Sequence, residues 1–180
     1  MRIVPVCLLW VVLAVVAVPS AEAGMLDSHS SEWAFDLNYT NQTSTATSTN
    51  VNFSWGHLMA MGYVEAGLSG TYQRLEDKTS GGSNIEATIG GPFMAWNWTP
   101  HSDTASGFLQ AGIGVVGGDL HRSFNYSLDA ALGVKCFVGN SAAVTLQFFY
   151  QRLGDTSVSG GRKEDLDGVA IGIALFSGRR

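Results

Sequence analysis

The residues most able to do chemistry in this chain are charged residues inside segments of alternating sequence. Successive side chains of an extended segment point to opposite faces, and these charges fall opposite the large apolar residues. The alternation places Glu65, Glu86, Asp129 and Lys135 on one polar face, with Asp36 and Glu32 nearer a mouth. Because an unpaired enclosed charge is costly, we expect Lys135 to pair with one or more of these carboxylates. Separate hydration of each charge is the alternative.

Other residue types that support chemistry lack the spacing that the chemistry needs. His29, His57 and His101 are scattered and have no metal-ligand spacing. The glycine-rich pieces are strand and turn glycines, since no helix follows them to complete a phosphate-binding loop. The sequence therefore predicts neither a metal site nor a cofactor.

Eight segments of alternating apolar and polar residues must position the charged residues. The clearest is Tyr126–Val138, where Leu128, Leu132 and Val134 alternate with polar or small residues. The other seven segments lie at about 32–40, 50–55, 64–73, 85–95, 108–115, 144–151 and 169–175. Each segment is predicted to be a strand with one apolar face.

The connections between these strands alternate in length. Long polar connections follow the first, third, fifth and seventh strands, at Asn41–Thr49, Arg74–Asn84, Gly117–Ser123 and Gly154–Lys163. Shorter connections follow the second, fourth and sixth strands. This asymmetry predicts an all-β fold, an eight-stranded antiparallel transmembrane up-and-down barrel with long loops at one end.

The hairpin around Gly90–Gly118 is central to this pattern. Its first strand is predicted to present one apolar face made of Ile85, Ala87, Ile89, Gly91, Phe93 and Ala95. Pro92 lies within that strand and cannot donate a ladder hydrogen bond. A bulge or a local break is therefore expected there.

The first 23 residues have the features of a cleaved signal peptide. Arg2 precedes an apolar run that ends at Pro19, and Ala21-Glu22-Ala23 is a small-x-small cleavage pattern. A retained transmembrane helix is the alternative, but it needs roughly 20 apolar residues. The expected organisation is a signal peptide (1–23) cleaved after Ala23, a short periplasmic leader (24–31) and a barrel (32–180).

The composition favours a membrane barrel over a soluble one. Charged residues make up 14% of the chain, against about 25% in typical soluble domains. The polar strand face is mostly Gly, Ser, Thr, Asn, Ala and Gln, which suits a narrow lumen better than a water-facing exterior. We therefore expect lipid against the apolar face. A soluble periplasmic barrel that binds an apolar ligand is the alternative.

Aromatic residues near the strand ends are typical of the girdles that flank the apolar band of a membrane barrel. Ordinary core packing is the alternative for each of them. The candidate girdle comprises Trp33, Tyr39, Trp55, Tyr72, Trp96, Trp98, Tyr126 and Tyr150.

The mature chain resembles the small outer-membrane β-barrel proteins of Gram-negative bacteria. The most specific part of the resemblance is Gly91-Pro92-Phe93 followed, after a polar turn, by Phe108–Gly114. The segment from Gly56 to Tyr72 is similar too. The resemblance implies outer-membrane lipid, lipopolysaccharide and the barrel-assembly machinery as partners. Members usually end on an aromatic residue that this machinery reads, whereas Phe176 lies off the register of the apolar residues before it.

Lipid A deacylases are similar eight-stranded barrels and carry a His-x-Ser-Asn motif on a strand. The corresponding region here is Phe148–Gly154, where Phe149 and Gln151 occupy the histidine and serine positions. The segment His121–Asn125 has suitable residue types, but it lies on the preceding loop and strand. No catalytic residue is therefore assigned.

The expected function is a non-enzymatic barrel in the bacterial outer membrane. Its role is expected to be structural or a surface interaction through the long loops, because eight strands leave too little interior for a wide pore. The alternatives are a lipid-modifying enzyme and the soluble periplasmic barrel. A net charge of −5 provides no basic patch, so nucleic acid is not an expected partner.

Overall fold

The computed structural model describes residues 26, 30–40, 46–77, 84–139, 141–155 and 163–177. No helix among these residues is long and apolar enough to cross a membrane. The strands are β1 (Ser31–Thr40), β2 (Ala46–Met59), β3 (Val64–Asp77), β4 (Ile85–Asn97), β5 (Ala105–Gly118), β6 (Tyr126–Gly139), β7 (Ala142–Gly154) and β8 (Lys163–Ser177).

The eight strands form one closed antiparallel barrel. Each strand pairs with the next along the chain. The first strand also pairs with the last, from Ser31 opposite Ser177 to Leu37 opposite Ile171, and this pairing closes the barrel. The predicted all-β, eight-stranded barrel is confirmed.

The two ends of the barrel differ. At one end, the turn end, the connections are short and include the 3-10 turn Ala60–Gly62. At the other, the loop end, the strands reach further than predicted, since β2 already begins at Ala46 and β3 continues to Asp77. At this end the strands remain paired although both of their faces are polar. An alternation of apolar and polar residues cannot reveal a strand there. The predicted signal peptide (1–23) and residues 41–45, 78–83 and 156–162 of the predicted loops lie outside the described residues.

The outward face is apolar, whereas the inward face carries the buried polar and charged residues together with some apolar ones. Large apolar side chains face outward on every strand, and among them Val115 is 71% exposed and Phe148 is 67% exposed. The inward positions hold buried polar residues such as Asn50, Ser106 and Thr145. The barrel thus inverts the usual arrangement of a soluble protein.

The prediction that the apolar face of β4 points outward is wrong. Ala87, Ile89, Phe93 and Ala95 are buried inside the barrel. The outward positions of β4 instead include Pro92, Met94 and Trp96, all of them exposed. Both faces of this strand carry apolar residues, so the alternation could not show which face meets the exterior.

Pro92 produces a local break in the ladder. The pairing of β4 with β5 joins Gly90 to Val115 and Phe93 to Gly112, and skips Gly91 and Pro92 between them. The register is the same on both sides of the gap. Pro92 therefore removes a ladder hydrogen bond without creating a bulge.

Two apolar clusters fill the interior near the two ends of the barrel. The turn-end cluster consists of Leu26, Ala34, Leu58, Ala143, Ala174 and Phe176, with Phe137 packed against it. The loop-end cluster consists of Ile89, Val116, Phe124, Leu153 and Leu166, with Leu120 packed against it. The polar part of the interior lies between them.

An outward charge in the middle of the barrel tests which solvent surrounds it. Leu132 lies mid-strand on β6, beside Leu109 and Phe148 of the neighbouring strands. We expect Leu132→Arg to lower the free energy of unfolding by about 2–4 kcal/mol in lipid vesicles, measured by urea titration. The control Thr88→Arg, outward and near the loop end, should cost about 0–1 kcal/mol. Equal, small effects of the two substitutions would indicate a water-facing exterior.

Candidate functional site

Three buried charges form an ion-pair network across the interior near the turn end. The Lys135 ammonium on β6 binds the Glu32 carboxylate on β1 and, at 2.9 Å from Nζ to Oε2, the Glu65 carboxylate on β3. All three side chains are almost completely buried. Because β1 and β3 are each three strands away from β6 in the closed barrel, Lys135 joins opposite walls.

The Lys135 ammonium also has an aromatic neighbour. Its nitrogen lies 5.2 Å from the centroid of the Phe108 ring on β5. A cation within about 6 Å of a ring centroid is attracted by the negative face of the ring. The lysine is thus held by two carboxylates and one aromatic face.

Two glycines provide the space that the buried carboxylates occupy. A Cβ atom at Gly56 would lie 2.2 Å from Glu65 Oε1, and one at Gly172 would lie 2.0 Å from Asp36 Oδ1. Any larger residue would displace the carboxylate. Gly56 is therefore part of the network's construction, whereas Gly172 makes room for Asp36.

A second polar layer lies further toward the loop end. Thr145 donates a hydrogen bond to Asp36, at 2.9 Å between oxygens. Asp129 accepts one from Ser127 at 2.9 Å and one from Gln151 Nε2 at 2.7 Å. Each carboxylate thus has side-chain donors, as buried acids require.

A cavity of about 100 Å³ lies among these polar side chains. Its lining includes both polar layers, from Glu32 and Lys135 to Asp129 and Gln151. The turn-end and loop-end clusters lie on either side of it. The arrangement has room for a few water molecules and offers no wide passage.

The leader before β1 contributes to closing the turn end. The Leu26 amide donates a hydrogen bond to the Pro100 carbonyl at 2.7 Å, and the Leu58 amide donates one to the Ser30 carbonyl at 2.9 Å. The Leu26 side chain is buried in the turn-end cluster. Leu26 therefore lies at the turn-end mouth of the barrel, and Glu32, expected nearer a mouth, is buried.

The structure brings some of the predicted network residues together and separates others. Glu65 and Lys135 are in contact, whereas Asp129 belongs to the second polar layer. Glu86 is not in the lumen: it faces outward, with Oε1 4.0 Å from Arg74 Nη1 and about half of its side chain exposed. The prediction that Glu86 lies in the lumen is wrong because the two faces of β4 point in directions opposite to those predicted. Strand parity places Glu32 on the inward face among the possible partners of Lys135, and the structure shows the contact between them.

The candidate aromatic girdle divides between the two ends. Trp33, Trp55, Trp96 and Trp98 lie toward the turn end, whereas Tyr72, Tyr126 and Tyr150 lie toward the loop end. All but half-buried Tyr126 are exposed. Trp33 also contacts Trp55 and Phe53, at 6.2 and 5.8 Å between ring centroids. The side chain of Tyr39 lies outside the described part of the structure.

The segment with hydrolase-like residue types lies at the loop end. His121 sits in the 3-10 turn Asp119–Arg122, and its Nδ1 is hydrogen-bonded to the Val116 carbonyl at 2.8 Å. Asn125 Nδ2 donates to Asp155 at 3.3 Å. The imidazole ring and the amide are therefore both held by partners other than Ser123.

Solved structures of three outer-membrane proteins resemble this barrel. Neisserial surface protein A has a TM-score of 0.50 and 14% identity, over 81% of this chain and 94% of that chain. Outer membrane protein OprG from Pseudomonas aeruginosa has a TM-score of 0.49 and 11% identity, over 87% and 98%. The outer membrane enzyme PagL has a TM-score of 0.46 and 16% identity, over 81% and 96%.

The sequence itself matches no family model and no curated protein. At these identities, the likeness to Neisserial surface protein A concerns the fold alone. The chain is thus a closed eight-stranded antiparallel barrel with the architecture of small outer-membrane barrel proteins.

Removing the central cation should destabilise the barrel. In Lys135→Met, Glu32 and Glu65 would remain buried together without a counter-charge, which costs about 3–5 kcal/mol. The measurement is urea unfolding in lipid vesicles. Lys163→Met, which removes an exposed lysine, is the control and should change the unfolding free energy by less than about 0.5 kcal/mol.

A triple variant distinguishes a charge network from simple packing. Adding Glu32→Gln and Glu65→Gln to Lys135→Met should recover much of the lost stability, because no uncompensated charge remains. An unchanged stability of Lys135→Met, or no recovery in the triple variant, would contradict the network.

Proposed function

We propose that this protein is an integral barrel of the bacterial outer membrane that works without catalysis. Its role is structural or consists of surface interactions made by the loop end. The observation that carries the proposal is the inverted barrel, with an apolar outward face around a polar interior. In this proposal, residues 1–23 are removed on export, and the barrel-assembly machinery inserts the chain.

The extent of the exposed apolar surface supports a membrane location. Leu37, Val115 and Phe148 are each more than 60% exposed, and similar residues surround the barrel. Soluble proteins rarely expose contiguous apolar patches of more than a few hundred Å². Exposing such a surface to water is unfavourable, whereas lipid solvates apolar side chains. If this barrel were soluble, its outward apolar residues would face water.

The contents of the interior support a role at the surface. A ligand-binding soluble barrel encloses an apolar pocket, whereas this interior holds Glu32, Glu65 and Lys135 beside a small polar cavity. The apolar clusters at the two ends oppose passage of solutes. Function is therefore assigned to the loop end, which presents the long connections.

The described hydrogen bond of His121 is to the Val116 carbonyl, which is not a nucleophile. Acyl hydrolysis needs a base within hydrogen-bond reach of a nucleophile. The positions that resemble the deacylase motif hold Phe149 and Gln151, which support neither role.

Fractionation of cells tests the membrane location. We expect the protein in the outer-membrane fraction, extracted only with detergent, and with faster electrophoretic mobility before heating than after it. A closed hydrogen-bonded barrel resists detergent until it is heated, which explains the shift. Release in a periplasmic extract without detergent, with no shift, would contradict the proposal and favour the soluble barrel.

Conductance measurements test the closed interior. The purified barrel in a planar lipid bilayer should show no sustained step conductance, because the turn-end and loop-end clusters close the lumen. Deleting residues 24–29 should raise the frequency of brief openings, since Leu26 is part of the turn-end cluster. Stable channels in the unmodified protein would show that the interior conducts.

A further inference from the structure

A six-residue pattern occurs twice in this chain. Tyr-Gln-Arg-Leu-x-Asp begins at Tyr72 and again at Tyr150. The first copy lies at the loop end of β3 and the second at the loop end of β7. Because these strands are four apart in a closed barrel of eight, the two copies lie on opposite sides of the molecule.

The outward residues of the two copies make matching clusters with an acid on the next strand. Arg152 binds Asp165 in a bidentate ion pair, at 2.7 Å from Nε and 3.0 Å from Nη2. Arg74 pairs more loosely with Glu86, at 4.0 Å. The two arginine side chains are 42% and 41% exposed. The outward clusters are Tyr72, Arg74 and Glu86 on one side, and Tyr150, Arg152 and Asp165 on the other.

The inward residues of the repeat serve the interior. Gln151 donates to Asp129, and Leu153 belongs to the loop-end cluster. Gln73 is likewise buried. These inward roles account for the glutamine of both copies and for Leu153. They do not account for the tyrosine and the arginine, which point away from the interior in both copies.

The depth of the outward clusters indicates what they contact. On β3, the outward apolar positions run from Val64 to Tyr72, and Arg74 is the next outward position. Eight residues at about 3.4 Å each, tilted by about 40°, cover roughly 20 Å along the barrel axis. This nearly fills the apolar band of about 25 Å that such barrels present to lipid. Arg74 therefore lies just beyond the hydrocarbon, at the level of the headgroups. On β7 the outward positions run from Ala142 to Tyr150 over the same length, so Arg152 lies at a similar depth.

We propose that the two outward clusters bind phosphate groups of lipids in the outer leaflet. A guanidinium has five N–H donors, and Asp165 uses two nitrogens of Arg152, which leaves donors for phosphate oxygens. The acid across the strand orients the arginine, and the Tyr150 ring, 5.7 Å from the guanidinium carbon, supports it. This assignment rests on the proposed membrane location and gives the barrel two lipid sites on opposite sides.

Native mass spectrometry of the full mature barrel, released from detergent micelles, tests the proposal. The probe is bis-phosphorylated lipid A, with phosphatidylethanolamine as a second phosphate-bearing lipid and diacylglycerol as a lipid without phosphate. We expect two bound lipid A molecules. Arg74→Gln or Arg152→Gln should each weaken binding at one site about ten-fold, because a charge-assisted hydrogen bond is lost. The double variant should weaken both sites.

The matched control is Arg122→Gln, which removes an exposed arginine at the same end, outside both clusters. It should bind lipid A like the unmodified protein. Equal weakening by Arg122→Gln, unchanged binding in the double variant, or equal binding of diacylglycerol would overturn the proposal. Binding of phosphatidylethanolamine that depends on the two arginines would support it, because the shared group is phosphate.

Electrophoretic mobility before and after heating is recorded for every variant. A heat-dependent shift shows that the barrel is intact, so lost lipid binding is not a consequence of unfolding. If the variants keep the shift and also keep lipid binding, the lipid sites are wrong and the membrane barrel stands. If the unmodified protein lacks the shift, the membrane barrel itself is wrong.

Discussion

The ion-pair network of Lys135 with Glu32 and Glu65 is the interaction on which the interior depends. A single ammonium far from bulk water is expensive unless carboxylates and further polar partners satisfy it. Here the carboxylates come from the opposite wall of the barrel, so the network can form only when the barrel is closed. The network therefore couples a local electrostatic requirement to the global topology, and Gly56 provides the space that Glu65 needs.

A polar interior in turn determines what the outward face must be. Each strand has two faces, and once the small and charged residues point inward, the large apolar residues point outward. In water this surface would be a severe cost, and in lipid it is the stable arrangement. The apolar clusters at the two ends close the interior, which leaves the loop end and the outward surface as the places where the molecule can meet other molecules.

Much of the fold could be predicted from strand alternation, and the failures have physical causes. On β6, apolar and polar residues separate cleanly, so the inward position of Lys135 follows from parity. On β4, the inward Ile89 and Phe93 compete with the outward Met94 and Trp96, and the sequence does not reveal which set meets lipid. Glu86 was misplaced for the same reason. Leu26 packs in the turn-end cluster through long-range contacts that periodicity does not encode. The repeated Tyr-Gln-Arg-Leu pattern is present in the sequence, but the contacts of Arg74 and Arg152 with acids on the neighbouring strands are visible only in the structure.

The direct test of the inverted barrel is to map lipid contact along one strand. A nitroxide spin label would be placed in turn at positions 127–134 of β6, in the membrane-inserted protein, and its collision rate with oxygen measured. Oxygen concentrates in hydrocarbon, so the rate should alternate with a period of two residues. The account predicts maxima at Leu128, Ala130, Leu132 and Val134. Maxima at Ser127, Asp129, Ala131 and Gly133, or no alternation, would contradict it.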